Sequence, residues 1–275
     1  MNIKYFCPLW GSNYLPFETF CDKAKHDGYD GVELGLPADK TKKDEIIKTL
    51  ESFELSMIGQ HHETADSDFN QHKKIYLHHL ENLIDSPAIF INSQTGKDYF
   101  SFDQNKALIE IADQVSTNAK VQILHETHRG KFSFAAHIMS DYLEKIPSLR
   151  ITLDISHWCN VAESFLEDQQ EAVDLAISHT DHIHSRVGYQ EGPQIPDPRA
   201  PEWQEAIETH ALWWDKVLAL KEKNGEKEFT ITTEFGAPPY LLLMPFTRQP
   251  ITSQWEINVH MMDFLKARYH KEPNN

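Results

Sequence analysis

Basic residues are scarce in this sequence of 275 residues, which has 26 Lys and Arg against 42 Asp and Glu and a formal net charge of −16. Such a charge repels a phosphate backbone, so we expect no nucleic-acid partner. Cysteines are also few. Cys7, Cys21 and Cys159 show no CxxC spacing, which is typical of reduced thiols in an intracellular protein. We therefore expect no disulfides and a small, uncharged or weakly charged partner.

Long hydrophobic runs are missing as well. No segment reaches the roughly 18 uninterrupted apolar residues of a membrane span. The start, MNIKYFCPLWG, lacks the long apolar core of a signal peptide and resembles a first strand. By elimination we expect a cytoplasmic protein with no membrane partner. The 40% of hydrophobic residues are enough to fill a core, and the 25% of charged residues suit an ordinary solvated surface.

Short runs of β-branched and aromatic residues alternate with amphipathic stretches along the whole chain. The predicted strands are 3–7, 31–34, 55–59, 88–92, 121–124, 150–153, 179–184 and 229–233. The predicted helices are 16–27, 41–53, 68–84, 103–119, 133–145, 162–178, 201–223 and 252–269. Strict alternation indicates a parallel sheet with right-handed crossovers, and eight such units close into a barrel. We predict a single α/β domain over 1–275, a (β/α)8 TIM barrel with a parallel eight-stranded sheet and outer helices.

A doubly wound open sheet is the alternative fold. It usually binds a phosphate-containing ligand through a glycine-rich loop at the point where the strand order reverses. The sequence contains neither GxGxxG nor GxxxxGK, so it offers no such loop. The closed barrel is therefore the preferred prediction.

Ionisable side chains collect where the predicted strands end, which in a TIM barrel is the side of the active site. These residues are Glu33, His61, His62, Glu63, His125, Glu126, His128, Asp154, His157, His182, His184 and Glu234. A buried carboxylate must be paired, protonated or bound to metal. Carboxylate and imidazole donors without thiolate suit Mg²⁺, Mn²⁺, Co²⁺ or Zn²⁺. The pattern therefore predicts a divalent metal site, and open coordination positions on the ion would favour catalysis over a purely structural role.

Four motifs carry a resemblance to a known family. They are HET at 125–127, LDISH at 153–157, HIH at 182–184 and TEFG at 233–236. Together they resemble the xylose isomerase-like TIM barrel superfamily, the sugar phosphate isomerase/epimerase family, along the whole chain. The resemblance implies a metal-dependent enzyme of carbohydrate metabolism. It would isomerise or epimerise a sugar, sugar phosphate or related polyol by proton transfer next to a carbonyl, through a metal-stabilised enediolate.

The same resemblance implies roles for individual residues. The implied metal ligands are Glu126, Asp154, His184 and Glu234. The implied catalytic residues are Glu126 and Glu234 as the acid/base pair, and His157 as a contact to a substrate oxygen. From their places at strand ends we further expect substrate contacts by Arg186, His61, Glu33 and His182. The simpler alternatives are a packed histidine for His182, loop capping for Glu33 and His61, and an ion pair for Arg186.

Three other functions stay open on the sequence alone. One is an inosose-type dehydratase that uses the same metal site. Another is an apurinic-endonuclease-like phosphodiesterase, which the acidic charge opposes and for which additional His and Asp ligands are missing. The third is a sugar-binding barrel without turnover. Gln190 stands where ketose epimerases usually carry an arginine, so the resemblance does not specify the sugar. Barrels of this superfamily often form homo-oligomers, and the oligomeric state stays open.

Overall fold

The barrel is built from eight parallel strands that close on themselves, with β8 paired to β1. The computed structural model describes residues 1–269, and residues 270–275 of the predicted domain lie outside the described part. The strands are β1 (Asn2–Pro8), β2 (Gly31–Leu34), β3 (Ser56–His61), β4 (Ile91–Ser93), β5 (Ile123–Glu126), β6 (Ile151–Leu153), β7 (Thr180–His184) and β8 (Glu228–Thr232). The predicted (β/α)8 barrel is confirmed, although β4 and β5 begin later than the predicted 88–92 and 121–124.

Helices cover the outside of this barrel. They are α1 (Phe17–His26), α2 (Lys40–Ser52), α3 (Phe69–Ile84), α4 (Phe102–Ala119), α5 (Ala136–Lys145), α6 (Ser156–Ala162), α7 (Gln170–His179), α8 (Gln204–Lys223) and α9 (Gln254–Tyr269). Three of them start with a side-chain cap. Asp39, Asp68 and Ser101 each accept a hydrogen bond from the backbone N–H three residues further on, which satisfies one of the free donors of a first helical turn. None of the helices within residues 1–269 combines the length and the apolar character needed to cross a bilayer.

The prediction of eight helices was wrong after β6. The described residues form nine α-helices, because α6 follows β6 directly and α7 begins only at Gln170 instead of at 162. The chain leaves α6 at Glu163, which has a left-handed φ of 50°. The first four residues of α6 are all buried. A helix of seven residues is too short to show an amphipathic period, so the hydrophobic pattern does not reveal it.

Inside the barrel a layer of polar side chains lies on the carboxyl-terminal side of an apolar layer. The apolar layer is a small buried cluster of Phe6, Ile58, Phe90 and Leu124. Alternate residues of a strand point to the same side, so Gln60, Asn92 and Glu126 share the face of the last three members of that cluster, two residues nearer the carboxyl ends. All three are at most 5% exposed. The alternation of side-chain direction along the strands thus places apolar residues in the barrel interior and polar residues at its mouth.

Candidate metal and substrate site

The four predicted metal ligands meet at the carboxyl ends of neighbouring strands. Glu126 closes β5, Asp154 follows β6, His184 closes β7 and Glu234 follows β8. One donor atom from each residue lies within 4.8 Å of those of the other three. None of the four side chains is more than 3% exposed. Three carboxylates and one imidazole are therefore collected in one buried place, which is the donor set expected for a hard or borderline divalent cation.

The carboxylates of this cluster perturb one another. Burial, and next the charge of Glu234, raise the pKa of Glu126 to about 8. Burial also raises the pKa of Asp154, although Arg186 opposes the effect. Burial by itself would lower the pKa of His184, but the surrounding carboxylates, Glu234 first, raise it overall. Negative charges this close in a buried site repel each other strongly, so the arrangement is suited to hold a cation.

His184 is oriented by a carboxylate from β2. Both carboxylate oxygens of Glu33 lie 3.1 Å from Nε2 of His184, so the Nε2–H donates to Glu33. The other ring nitrogen, Nδ1, lies 2.8 Å from Oε2 of Glu234 but makes no hydrogen bond. Metal-binding histidines commonly donate their second ring N–H to a carboxylate in this way. A buried Nδ1 without a hydrogen bond, aimed at the carboxylates, fits a metal ligand.

His157 differs from His184, because its Nε2 contacts a cation and not a carboxylate. Nη2 of Arg186 lies 2.7 Å from Nε2 of His157 and also contacts Oδ2 of Asp154. A guanidinium can only donate, so Nε2 of His157 accepts and its proton is on Nδ1. Burial, then the charges of His128 and Arg186, hold the pKa of His157 well below its ordinary value, so the ring is neutral. Nδ1 is buried without a hydrogen-bond partner and is therefore a free donor.

This tautomer also weakens a second possible cation site at the barrel mouth. Glu126, His128 and His157 form a second group with the spacing of a metal site. A protonated Nδ1 cannot ligate a metal, and Nε2 of His157 is already engaged by Arg186. That group thus lacks one of its three ligands, and the quartet that contains Asp154 is the better cation site.

A cavity of about 190 Å³ opens beside the quartet. Its lining residues are Trp10, Gln60, His62, Gln94, His128, Arg186, Glu234 and Tyr240. Two amides connect it to the ligands: Nε2 of Gln60 donates to Glu234 over 3.1 Å, and Nε2 of Gln94 donates to Glu126 over 3.2 Å. A small polar molecule in this cavity would contact amide, imidazole and carboxylate groups together.

The aromatic rim of the cavity depends on a glycine. The rings of Trp10 and Tyr240 meet edge to face, with centroids 5.2 Å apart. A Cβ added to Gly236 would lie 2.0 Å from Cη2 of Trp10, so only glycine leaves room for the indole. Gln194, from the loop after β7, accepts a hydrogen bond of 2.6 Å from the backbone N–H of Gly236. The glycine of the TEFG motif thereby fixes Trp10 and joins two loops at the barrel mouth.

Of the four predicted substrate contacts, Arg186 alone lines the 190 Å³ cavity among the residues described. His61 is fully buried and its ring nitrogens hydrogen-bond Ser93 and Thr64. His182 is fully buried against Thr230 and Thr232. Substrate contact by His61, His182 and Glu33 stays a prediction. Their observed partners favour packing for the two histidines and orientation of His184 for Glu33.

Some residues of the site, Asn92, Gln94 and Tyr240 among them, were absent from the predicted set. Asn92, fully buried, donates through Nδ2 to Glu33 and to Glu126, both over 2.9 Å, and so connects β2 with β5. Its position near the end of a predicted strand was a usable signal, the same one that selected Glu126. Gln94 follows β4 and had a weaker signal of this kind. Tyr240 lies in an irregular stretch after β8 and had none.

Comparisons with known proteins support the fold through solved structures alone. No protein-family model matches the chain, and no curated protein matches it. Among solved structures, the chain is similar to a xylose isomerase domain containing protein of Salmonella typhimurium, with 14% identity, 98% of this chain and 100% of that chain covered, and a TM-score of 0.63. It is similar to the 3-keto-D-glucoside 4-epimerase of E. coli at 12% identity, covering 97% and 99% of the two chains, with a TM-score of 0.60. It is also similar to an AP endonuclease, family 2, of Brucella melitensis at 16% identity, covering 98% and 99%, with a TM-score of 0.59. The predicted resemblance to xylose isomerase-like TIM barrels is confirmed at the level of the fold.

Proposed function

We propose that this protein is a divalent-metal-dependent isomerase or epimerase that transfers a proton next to the carbonyl of a sugar or related polyol. One observation carries the proposal. The donor atoms of Glu126, Asp154, His184 and Glu234 lie buried within 4.8 Å of one another, and one of the four residues, Glu234, lines a cavity of about 190 Å³. A site that only stabilised the fold would not need an adjoining polar cavity.

The residues present fit a divalent ion. His184 offers a buried Nδ1 that makes no hydrogen bond, and the three carboxylates supply hard oxygen donors without a thiolate. When bound, such an ion would polarise a substrate carbonyl and stabilise the negative charge that forms when the adjacent C–H loses its proton. Holding this charge in a buried site lowers the barrier more than it would in water.

Proton transfer is assigned to the two glutamates. Glu126 belongs to β5 and Glu234 follows β8, with two strands between them, so their carboxylates approach the centre of the mouth from different sides. A substrate held between them presents one face to each. One carboxylate removes the proton, and the other can return a proton to the opposite face or to the neighbouring carbon. A positioned acid or base of this kind contributes roughly 10² to 10⁴ in rate.

His157 and Arg186 are assigned to orientation of the substrate oxygen. The neutral His157 carries its proton on the unpartnered Nδ1, which suits donation to a hydroxyl or carbonyl oxygen of the substrate. Arg186 contacts Asp154 and His157 and also lines the cavity. Gln60 and Gln94 offer amides for further hydroxyl groups.

Two solved structures of similar fold bear on the choice of chemistry. The 3-keto-D-glucoside 4-epimerase agrees with proton transfer next to a keto group, whereas the AP endonuclease suggests phosphodiester cleavage. The formal charge of −16 opposes DNA binding. The tautomer of His157 also leaves the group of Glu126, His128 and His157 short of one metal ligand. Sugar chemistry is therefore the better supported function.

The test is exchange of deuterium from solvent into a panel of ketoses and inososes with Mn²⁺, Mg²⁺ or Zn²⁺ added. We expect label in recovered substrate or in an isomer of the same mass for at least one sugar. Glu126→Gln and Glu234→Gln should each lower exchange by at least about 10²-fold. The matched control is Glu110→Gln, an exposed glutamate on α4, which should exchange like the wild type.

Two results would contradict the proposal. If both glutamine variants exchanged like the wild type, the acid/base roles would be wrong. An unsaturated product lighter by one water would instead identify a dehydratase that uses the same residues.

A further inference from the structure

A second groove adjoins the cavity on the side of the first three strands. It has a volume of about 360 Å³, and its lining includes Leu9, Asn13, Leu36, Pro37 and Glu63. These residues follow the ends of β1, β2 and β3. We call this the outer groove, and the 190 Å³ cavity beside the ligand quartet the inner cavity. Trp10, Gln60 and His62 line both spaces, so the two adjoin each other and share a wall.

The shared wall is held rigidly. Trp10 is wedged against Gly236 and Tyr240, and its backbone carbonyl accepts a hydrogen bond of 2.9 Å from Gln254. Gln60 is held by its hydrogen bond to Glu234. An aromatic ring and an amide thus stand, already ordered, where a molecule would pass from one space to the other. Contacts with groups that are already ordered cost little entropy on binding.

The chemistry of the outer groove indicates a neutral polyhydroxylated occupant. Amide, imidazole and carboxylate groups of Asn13, His62 and Glu63 face the groove beside apolar side chains. A sugar matches this mixture, because its hydroxyl groups hydrogen-bond while its C–H faces pack on apolar or aromatic surface. No Lys or Arg is among the residues that line the groove in the described part of the chain, and Glu63 would repel a phosphate.

We propose that the substrate is an uncharged glycoside or disaccharide, with the reacting unit in the inner cavity and a second sugar unit in the outer groove beside Trp10. The inference rests on the proposed function and adds the size and charge of its substrate. The inner cavity is smaller than the roughly 300 to 1,000 Å³ of pockets that enclose drug-sized ligands, and the outer groove brings the combined site into that range.

The test compares binding of single sugars and their two-unit forms to the Mg²⁺-loaded protein by calorimetry. The probes are glucose with cellobiose and maltose, and fructose with maltulose and lactulose. At least one two-unit sugar should bind about 10-fold more tightly than its single unit. Maltose 6′-phosphate, with a charged outer unit, should bind more weakly than maltose. Deuterium exchange is followed on the same sugars.

One variant fills the outer groove without touching the inner cavity. Asn13 is an exposed residue that lines the outer groove. Asn13→Trp should reduce the affinity for the two-unit sugar to that for the single unit and leave the single unit unaffected. The matched control is Tyr14→Trp, since Tyr14 is 76% exposed and lines neither space.

The outcomes separate the two proposals. If no two-unit sugar bound more tightly than its single unit, or if Asn13→Trp left the advantage intact, the outer sugar site would be wrong even with exchange present. If the two-unit sugar bound as expected but no sugar exchanged deuterium, the proposed proton transfer would fail and the outer site would stand. If no sugar bound at all, both would be wrong.

Discussion

Nη2 of Arg186 lies 2.7 Å from Nε2 of His157, and the same nitrogen contacts the carboxylate of Asp154. This single cation therefore determines the state of two neighbours. It compensates the charge of one predicted metal ligand, and it fixes the proton of His157 on Nδ1, the nitrogen without a hydrogen bond. Arg186 was predicted as a substrate contact. It lines the inner cavity, but it is 1% exposed and its strongest contacts are with the protein.

Replacement of Arg186 should allow His157 to adopt either of its two neutral tautomers. In Arg186→Met we expect both tautomers to be populated, visible in the ¹⁵N shifts of histidine-labelled protein, and proton transfer slower by about 10²-fold. The control is Arg129→Met. Arg129 and Arg186 both lie over the ring of Tyr240, with guanidinium carbons 5.0 and 4.8 Å from its centroid, but Arg129 hydrogen-bonds Asn160 instead of His157. Unchanged ring-nitrogen shifts of His157 in Arg186→Met would refute the assignment.

Removal of the charge on Glu33 should weaken metal binding although Glu33 is not a predicted ligand. Glu33 fixes His184 through Nε2, and loss of such a partner typically costs about 10 to 100-fold in metal affinity. We expect this increase in the dissociation constant of Mn²⁺ for Glu33→Gln by calorimetry. Glu63→Gln is the matched control, an exposed carboxylate just after β3. A Glu33→Gln protein that binds Mn²⁺ like the wild type would show that this carboxylate does not support the site.

Gly236→Ala should destabilise the fold through Trp10. The new methyl group would meet Cη2 of Trp10 at 2.0 Å, and overpacking of this kind costs about 1 to 3 kcal/mol. Phenylalanine lacks the outer ring atoms of tryptophan, so Gly236→Ala combined with Trp10→Phe should recover most of the loss. Urea unfolding of the two single variants and the double variant measures the coupling. Strictly additive losses would mean that the indole does not cause the strain.

We expect the buried positive charge of Lys131 to lower the free energy of unfolding at neutral pH. It is 7% exposed, and its ammonium group has no hydrogen bond or ion pair with any residue in 1–269. Burial, then the charge of Lys97, lower the pKa of Lys131 from 10.5 to about 8. This shift corresponds to a cost on the order of 3 kcal/mol. Lys131→Met should therefore raise the free energy of unfolding at pH 7.

The pH dependence of the free energy of unfolding tests whether the buried charge of Lys131 is the cause. Between pH 8 and pH 10.5 the unfolded chain keeps the proton of Lys131 and the folded chain loses it, so the free energy of unfolding of the wild type rises with pH in this window. The advantage of Lys131→Met should therefore be full at pH 7 and shrink towards pH 10.5. Exposed Lys74 on α3 provides the control, since Lys74→Met should change stability little at either pH. An advantage independent of pH would point to packing rather than charge.

The barrel could be predicted from local patterns, which also placed ionisable residues at the strand ends; the family resemblance then selected four of them as metal ligands. Glu126 and His184 end strands, Asp154 follows a strand directly and Glu234 lies two residues after one; parallel strands around a barrel bring such positions to one mouth. Asn92 also lies at the end of a predicted strand and could have been predicted in the same way. Helix α6 could not be predicted in this way, because its seven residues are too few to show an amphipathic period in the sequence.

What the sequence by itself determined is the strand–helix alternation, the closed sheet and the identity of the polar groups at its mouth, since these follow from spacing along the chain. Only the tertiary structure decided that Nε2 of His184 faces Glu33, that Nε2 of His157 accepts from Arg186, that Arg186 contacts Asp154, and that Trp10 lines two adjoining spaces. The reason is physical. Each of these outcomes depends on distances of a few ångströms between residues brought together from separate strands and loops, and such distances leave no periodic signal in the sequence.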